Sequence, residues 1–238
     1  MKDRASSPRW LLGILIGLLI ALLAGGAWFY TFQRQRVRSE VEANLQAVAA
    51  LKVDQIVAWR AERLGDAAVL MEDPYLVEAV PRWLADPQPG DAEQILARFR
   101  SREHYHYSDV LLVDADGQVL LSLHSSGGEL HADAGEALAE AFHSRQPVIA
   151  DLHFMQGEET PHIDVIAPFF AGTGPEAEPV GAVLLRYYAG EFLYPLIQSW
   201  PLPDQTAETL LIRQEGDDVL FLNELRHRQD TALTLRIP

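Results

Sequence analysis

Twenty-three consecutive residues without a charge, WLLGILIGLLIALLAGGAWFYTF from Trp10 to Phe32, constrain this chain more than any other feature. A bilayer core is crossed by about 20 apolar residues in helical form, so this run is long enough to span one. Trp10, Trp28 and Tyr30 stand near its ends, where an aromatic belt belongs. The segment LLAGGA offers small residues of the kind found at leader cleavage sites. The apolar run nevertheless exceeds the roughly 7–15 residues of a leader, which favours a retained anchor.

The residues beyond this run differ from it in charge. Of 19 basic and 34 acidic residues, six and two lie in the first forty, leaving 13 and 32 beyond. An acid excess of that size repels phosphates and argues against nucleic acid as a partner. Lys2, Arg4 and Arg9 before the span balance Arg34, Arg36 and Arg38 after it, so flanking charge does not orient it. The acidic, domain-like character of residues 33–238 places them outside the cytoplasm. The chain has no cysteine, which rules out disulfides, thiolate metal sites and a cysteine nucleophile.

Between Gln33 and Met71 there is no proline and one glycine, Gly65. Apolar residues at Val37, Val41, Leu45, Val48, Ile56, Trp59 and Leu64 keep helical spacing, which predicts a long helix with an apolar stripe. Shorter helices are expected at 74–85 and 91–104, separated by DPQPG. DVLLVDADGQVLLSL (109–123) reads as two strands about a turn at Asp116-Gly117. Its DADG lacks the further ligands and closing glutamate of a calcium loop. Next come a helix over 134–145, strands over 147–154, 162–170 and 179–189, and a helix over 190–200. WPLPDQ (200–205) marks a boundary, and a new hairpin begins in AETLLIRQEGDDVLFLNEL. The expected class is α+β: a transmembrane helix, a long stalk helix, a PAS-like antiparallel sheet, and the start of a second such module. Strands that stop at Pro238, too few for a core of their own, suggest a truncated chain.

The strands at 147–154 and 162–170 carry the residues with most chemistry. Pairing 152 with 163 and 150 with 165 gathers Ala150, Leu152, Ile163 and Val165 on one face. The same register sets His153 opposite His162 and Asp151 opposite Asp164. In the next strand Arg186 falls opposite Asp164, and Tyr188 opposite His162. Directly opposed residues have Cβ atoms about 4.5–5.5 Å apart, so these groups form one polar face, and the apolar face needs the long helix as cover. Three readings stand: a structural ion-pair network, a small-molecule pocket, or a metal site on His153, His162 and a carboxylate. REHYHYSD (102–109) places His104, Tyr105, His106 and Tyr107 just before the first strand, where they form a helix-to-strand connector or line a pocket rim. No GxSxG elbow is present, and no kinase or cyclase motif.

The order of elements, with LQAVAALKVDQIVAWRAERLGDAAVL (45–70), DVLLVDADGQVLLSL, VIADLHF, HIDVIAPFF and PVGAVLLRYY, resembles the double Cache sensor region of bacterial sensor histidine kinases and diguanylate cyclases. The resemblance implies a cytoplasmic tip and span (1–32), a long helix with two short ones (33–104), a membrane-distal Cache domain (105–200) and an incomplete second module (201–238). It implies a single pass through the bacterial inner membrane, a homodimer through the long helix, and an unidentified small-molecule ligand. That ligand would meet Asp151, His153, His162, Asp164, Arg186, Tyr188 and Tyr107 and act, through the long helix, on a missing output domain. No cofactor and no catalysis by this chain are implied. The Tyr/Arg/Trp/Tyr/Asp pattern of the amino-acid-binding subset is not matched, which argues against an amino-acid ligand. The rival reading is a membrane-tethered envelope metal-binding protein or hydrolase using His153 and His162.

Overall fold

A computed structural model describes residues 9–101, 107–124, 128–154, 160–172, 174–200 and 207–238. His104, Tyr105 and His106 lie outside the described residues. The chain divides into two compact units, Met1–Leu51 and Lys52–Pro238.

One helix, α1 (Arg9–Met71), runs through the first unit and into the second. The apolar run and the stretch predicted as a stalk are thus continuous, because no proline interrupts the backbone between them. It is the one helix among the described residues long and apolar enough to cross a membrane, with a mean hydropathy of 2.4 over its most apolar window. In the first unit Val37, Val41 and Leu45 are all exposed.

The second unit is α+β. Its helices are the C-terminal part of α1, α2 (Pro74–Ala85), α3 (Pro89–Arg100), α4 (Ala132–Ser144) and α5 (Leu193–Gln198). Asp73 caps α2, its carboxylate accepting from the backbone N–H of Tyr75 and Leu76, and Pro74 fills the first helical position. α3 ends at Arg100, four residues before the expected His104. The strands are β1 (Asp109–Asp114), β2 (Gln118–Ser122), β3 (Gly128–Glu129), β4 (Val148–Ile149), β5 (His153–Phe154), β6 (Pro161–Ala171) and β7 (Glu178–Tyr188). They form an antiparallel sheet in the order β3-β2-β1-β7-β6-β4, with β5 also on β6. The order places the first and last strands of this sheet, β1 and β7, side by side at the centre, as in a PAS-like sheet. β8 (Ile212–Glu215), β9 (Asp218–Phe221) and β10 (Arg236–Ile237) make a separate three-stranded sheet. The β1–β2 turn forms as expected: Gly117 takes φ +83° and the Asp114 carboxylate accepts from Asp116 and Gln118 N–H.

Strand parity divides the main sheet cleanly. Odd residues Val165, Ala167 and Phe169 of β6 and Val183, Leu185 and Tyr187 of β7 pack against Ala67 and Leu70 of α1 and against α2 and α3. Lower on this face Ile163 and Leu152 meet Trp59 of α1 and residues of α5 and β9. The long helix therefore supplies the expected cover. Even residues Ile166, Ala182 and Leu184, with Leu111 and Val113 of β1, face Ala137, Leu138 and Ala141 of α4.

One register departs from expectation. His153 pairs with His162, but Ile149 pairs with Val165 and the Ala150 N–H donates to Asp164 O. Asp151 and Leu152 together oppose the single residue Ile163, which is a bulge. The extra residue moves Ala150 to the α4 face, away from Leu152. It also turns Asp151 outward, so Asp151 does not sit opposite Asp164.

Candidate functional site

The α4-side face is apolar at one end and polar at the other. At the polar end β6 contributes His162 and Asp164, β7 contributes Arg186 and Tyr188, β5 contributes His153, and β1 contributes Asp109. The register is the expected one, with Asp164 opposite Arg186 and His162 opposite Tyr188. Asp109, opposite Arg186 from the other side, is a member that sequence reasoning missed. Its signal is present in the sequence, because Asp109 shares parity with Leu111 and Val113. At the first position of a hairpin strand, however, an aspartate looks like an edge residue.

Arg186 grips Asp164 with both arms: Nε donates to Oδ1 at 2.8 Å and Nη2 to Oδ2 at 2.9 Å. Such bidentate pairing suits a planar guanidinium and a planar carboxylate. His153 Nε2 lies 3.5 Å from Asp164 Oδ2, at the limit of a hydrogen bond, and His153 Nδ1 is 2.9 Å from the Asp151 carbonyl oxygen. Asp109 accepts from the backbone N–H of Val110, Leu123 and His124, and from Ser122 Oγ at 2.7 Å. The His162 ring tilts against Tyr188 at 4.8 Å and stands 6.4 Å from His153.

These groups are buried. Asp164 is 0% exposed, His162 1%, His153 2% and Arg186 5%. The polar face is therefore covered and not open to water. Burial alone would push the Asp164 carboxyl up, but Arg186 and His153 hold it well below the usual carboxylate range. Burial opposes charge on His153 too, yet the bond to Asp164 and its negative charge raise that imidazole above its ordinary value. The pair thus favours the Asp164 anion and shifts His153 toward its cation relative to an ordinary imidazole.

Two expected members fall elsewhere. Asp151 is exposed, and its carboxylate accepts from Leu152 N–H and from Arg213 of β8. Tyr107 lies on the opposite face, its ring 4.9 Å from Tyr187. There Arg63 of α1 donates to Tyr187 Oη at 3.4 Å and pairs with Glu62 and Asp66. Burial pushes the Tyr187 hydroxyl up to about 12. Tyr107 departs because residues leading into β1 need not keep strand parity.

His131 is a second residue that sequence reasoning missed. It is the N-cap of α4, and its ring stacks on His153 at 5.2 Å and 11°. Its exposed side chain also lies 3.1 Å from Asp133. Twenty-two positions separate it from His153, so no local pattern announces the contact. His131 also lines a cleft of about 400 Å³ between the β1–β2 turn and α4, with Asp116, Gln118 and Phe142. A larger cleft, about 800 Å³, lies against the second sheet beside Trp200, Glu208, Glu224 and Arg226 and does not include the buried cluster. Among the described residues no three His, Cys, Asp or Glu side chains converge as a metal set.

No family model and no curated protein matches the chain. Among solved structures it is similar to a domain of a sensory box/GGDEF family protein from Vibrio parahaemolyticus, at 15% identity and a TM-score of 0.37, over 63% of this chain and 64% of that one. It is similar to an extracellular ligand binding receptor from Desulfohalobium retbaense, at 13% identity and 0.38, over 68% of this chain and 36% of the other. It is similar to the extracellular domain of a histidine kinase, at 11% identity and 0.35, over 71% and 84%. The chain therefore spans less than two thirds of the first two. Overlaps this low leave the functional reading to the chain's own residues.

Proposed function

We propose that residues 33–238 are the extracytoplasmic input region of a membrane-bound signalling receptor, with a Cache-type sheet that binds a small polar molecule. The observation that carries this reading is the two-sidedness of one sheet. Its α4 side gathers Arg186, Asp164, Asp109, His153 and His162 at one end, while its other side is packed against the helix that continues into the apolar run. A charged network confined to one end of a face is a costly way to fill a core, since apolar residues of similar volume do so without desolvating ions.

A ligand with matching charges would exchange with one internal partner, Asp164 on Arg186 for instance. His131 stands between the cleft and His153 and is the side chain to displace on entry. Occupancy would favour one of two packings of the sheet against α1, and only a ligand with unequal affinity for the two can shift them. The exposed stripe Val37, Val41 and Leu45 is assigned to a second copy of the chain, because a shared bilayer holds both helices parallel.

The test is the melting temperature of the full chain in detergent across a metabolite panel sorted by charge. A rise of several degrees with one class, lost in His153→Gln and in Tyr188→Phe, supports the site. No rise with any class, or a rise that both variants keep, overturns it.

A further inference from the structure

Asp151 leaves the polar face, but it does not leave the site. Its carbonyl oxygen faces His153 Nδ1 at 2.9 Å, and its carboxylate is held by Arg213 Nη1. Arg213 belongs to β8 of the second sheet. There its Nε and Nη2 both donate to Glu215 Oε1, at 3.0 and 2.6 Å. The other Glu215 oxygen pairs with Arg236 of β10 at 2.7 Å. One short residue therefore ties the buried imidazole to all that Arg213 holds.

We propose that Asp151 and Arg213 are positioning residues for His153, so that the second sheet sets the orientation of an imidazole on the first. This rests on the proposed binding face, although its test needs no ligand. The bulge is what makes the device work. A regular strand would point the Asp151 side chain and its neighbours in fixed alternation. The two-for-one step at Asp151 and Leu152 frees Asp151 to reach outward while its carbonyl still faces His153. The Nδ1–H bond to that carbonyl fixes the ring orientation and turns Nε2 toward Asp164, so that in the imidazolium both N–H groups face acceptors. The other charged or titratable groups around the imidazole are Asp164 and His162 on β6, Arg186 on β7 and His131 at the start of α4.

An exposed ion pair adds little to stability, about 0–1 kcal/mol, so its removal leaves the fold standing. What it changes is where the carbonyl points. A hydrogen bond from Nδ1–H favours the imidazolium, so a misplaced carbonyl lowers the His153 pKa.

The experiment is an NMR titration of the full chain in micelles with ¹³C-labelled histidine, His153 being assigned from His153→Gln. Arg213→Ala should lower the His153 pKa by about half a pH unit or more. Asp151→Asn should do the same, and the double variant no more than either alone. Arg213→Lys should recover part of the loss. Arg38→Ala, which breaks an exposed pair with Glu42 in α1, should leave His153 unchanged. An unmoved His153 in Arg213→Ala, an additive double variant, or an equal fall in Arg38→Ala overturns the assignment. A failed metabolite screen leaves this titration untouched, so the two readings fail separately.

Discussion

At the scale of the residue, Asp164 sets the terms. It is removed from water and remains ionised because Arg186 meets both of its oxygens. Taking away one partner leaves a buried charge uncompensated, which costs about 3–5 kcal/mol. Arg186→Met should therefore lower the unfolding free energy by that order in urea titrations, and Asp164→Leu with Arg186→Met should recover much of it. The pH dependence has two limbs. Asp164 is held below its ordinary value of 3.8, so its contribution is full above that pH and is lost as pH falls through the lower folded value. His153 is held above 6.5, so its contribution is full below that pH and is lost as pH rises through the higher folded value. Stability should be greatest between about pH 4 and 6.5, and His153→Gln should remove the decline on the alkaline side. Thermal melts across about pH 3 to 9 read both limbs. Much of this cluster was legible in the sequence, because alternate polar residues in two adjacent strands have few ways to pair. Asp109 and His131 were less so: one looks like a strand's first residue, and the other reaches the site only through the tertiary placement of α4.

At the scale of the element, apolar period and turn chemistry located the helices and long strands to within a few residues. α2 begins at Pro74 as its cap requires, and the β1–β2 turn closes on Gly117. The bulge was not legible, since nothing in VIADLHF distinguishes a regular strand from one with an added residue. Gly181 of β7 gives a sharp test of packing. A Cβ there would stand 2.3 Å from Val113 O and 2.8 Å from Leu84 Cδ1. The first neighbour is strand backbone and cannot swing aside, so Gly181→Ala should destabilise by about 3 kcal/mol or more. On the helix side, Leu70→Ala should cost about 2–5 kcal/mol, because Leu70 is buried among α1, α2 and the sheet. Equilibrium denaturation reads both values.

At the scale of the molecule, the charge-free run marked a helix long and apolar enough to cross a bilayer before any fold was considered. Membranes washed in alkaline carbonate should retain the full chain and release one that lacks residues 1–32. The stripe on α1 is testable with unusual cleanness, because the chain has no cysteine of its own. A thiol placed at Val41 should give an oxidative dimer, and one at Arg36 should give much less. Equal yields would remove the assigned partner. The step at Asp151 and Leu152 also bears on how the chain tolerates change. Because one residue is already spent out of rhythm there, the segment up to Ala150 and the segment from His153 keep separate time. A residue added before Val148 would invert the facing of β4 and spoil its seat against α4, yet His153 would go on meeting His162. The part of the strand that bears the imidazole is thereby insulated from drift in the length of the chain leading to it.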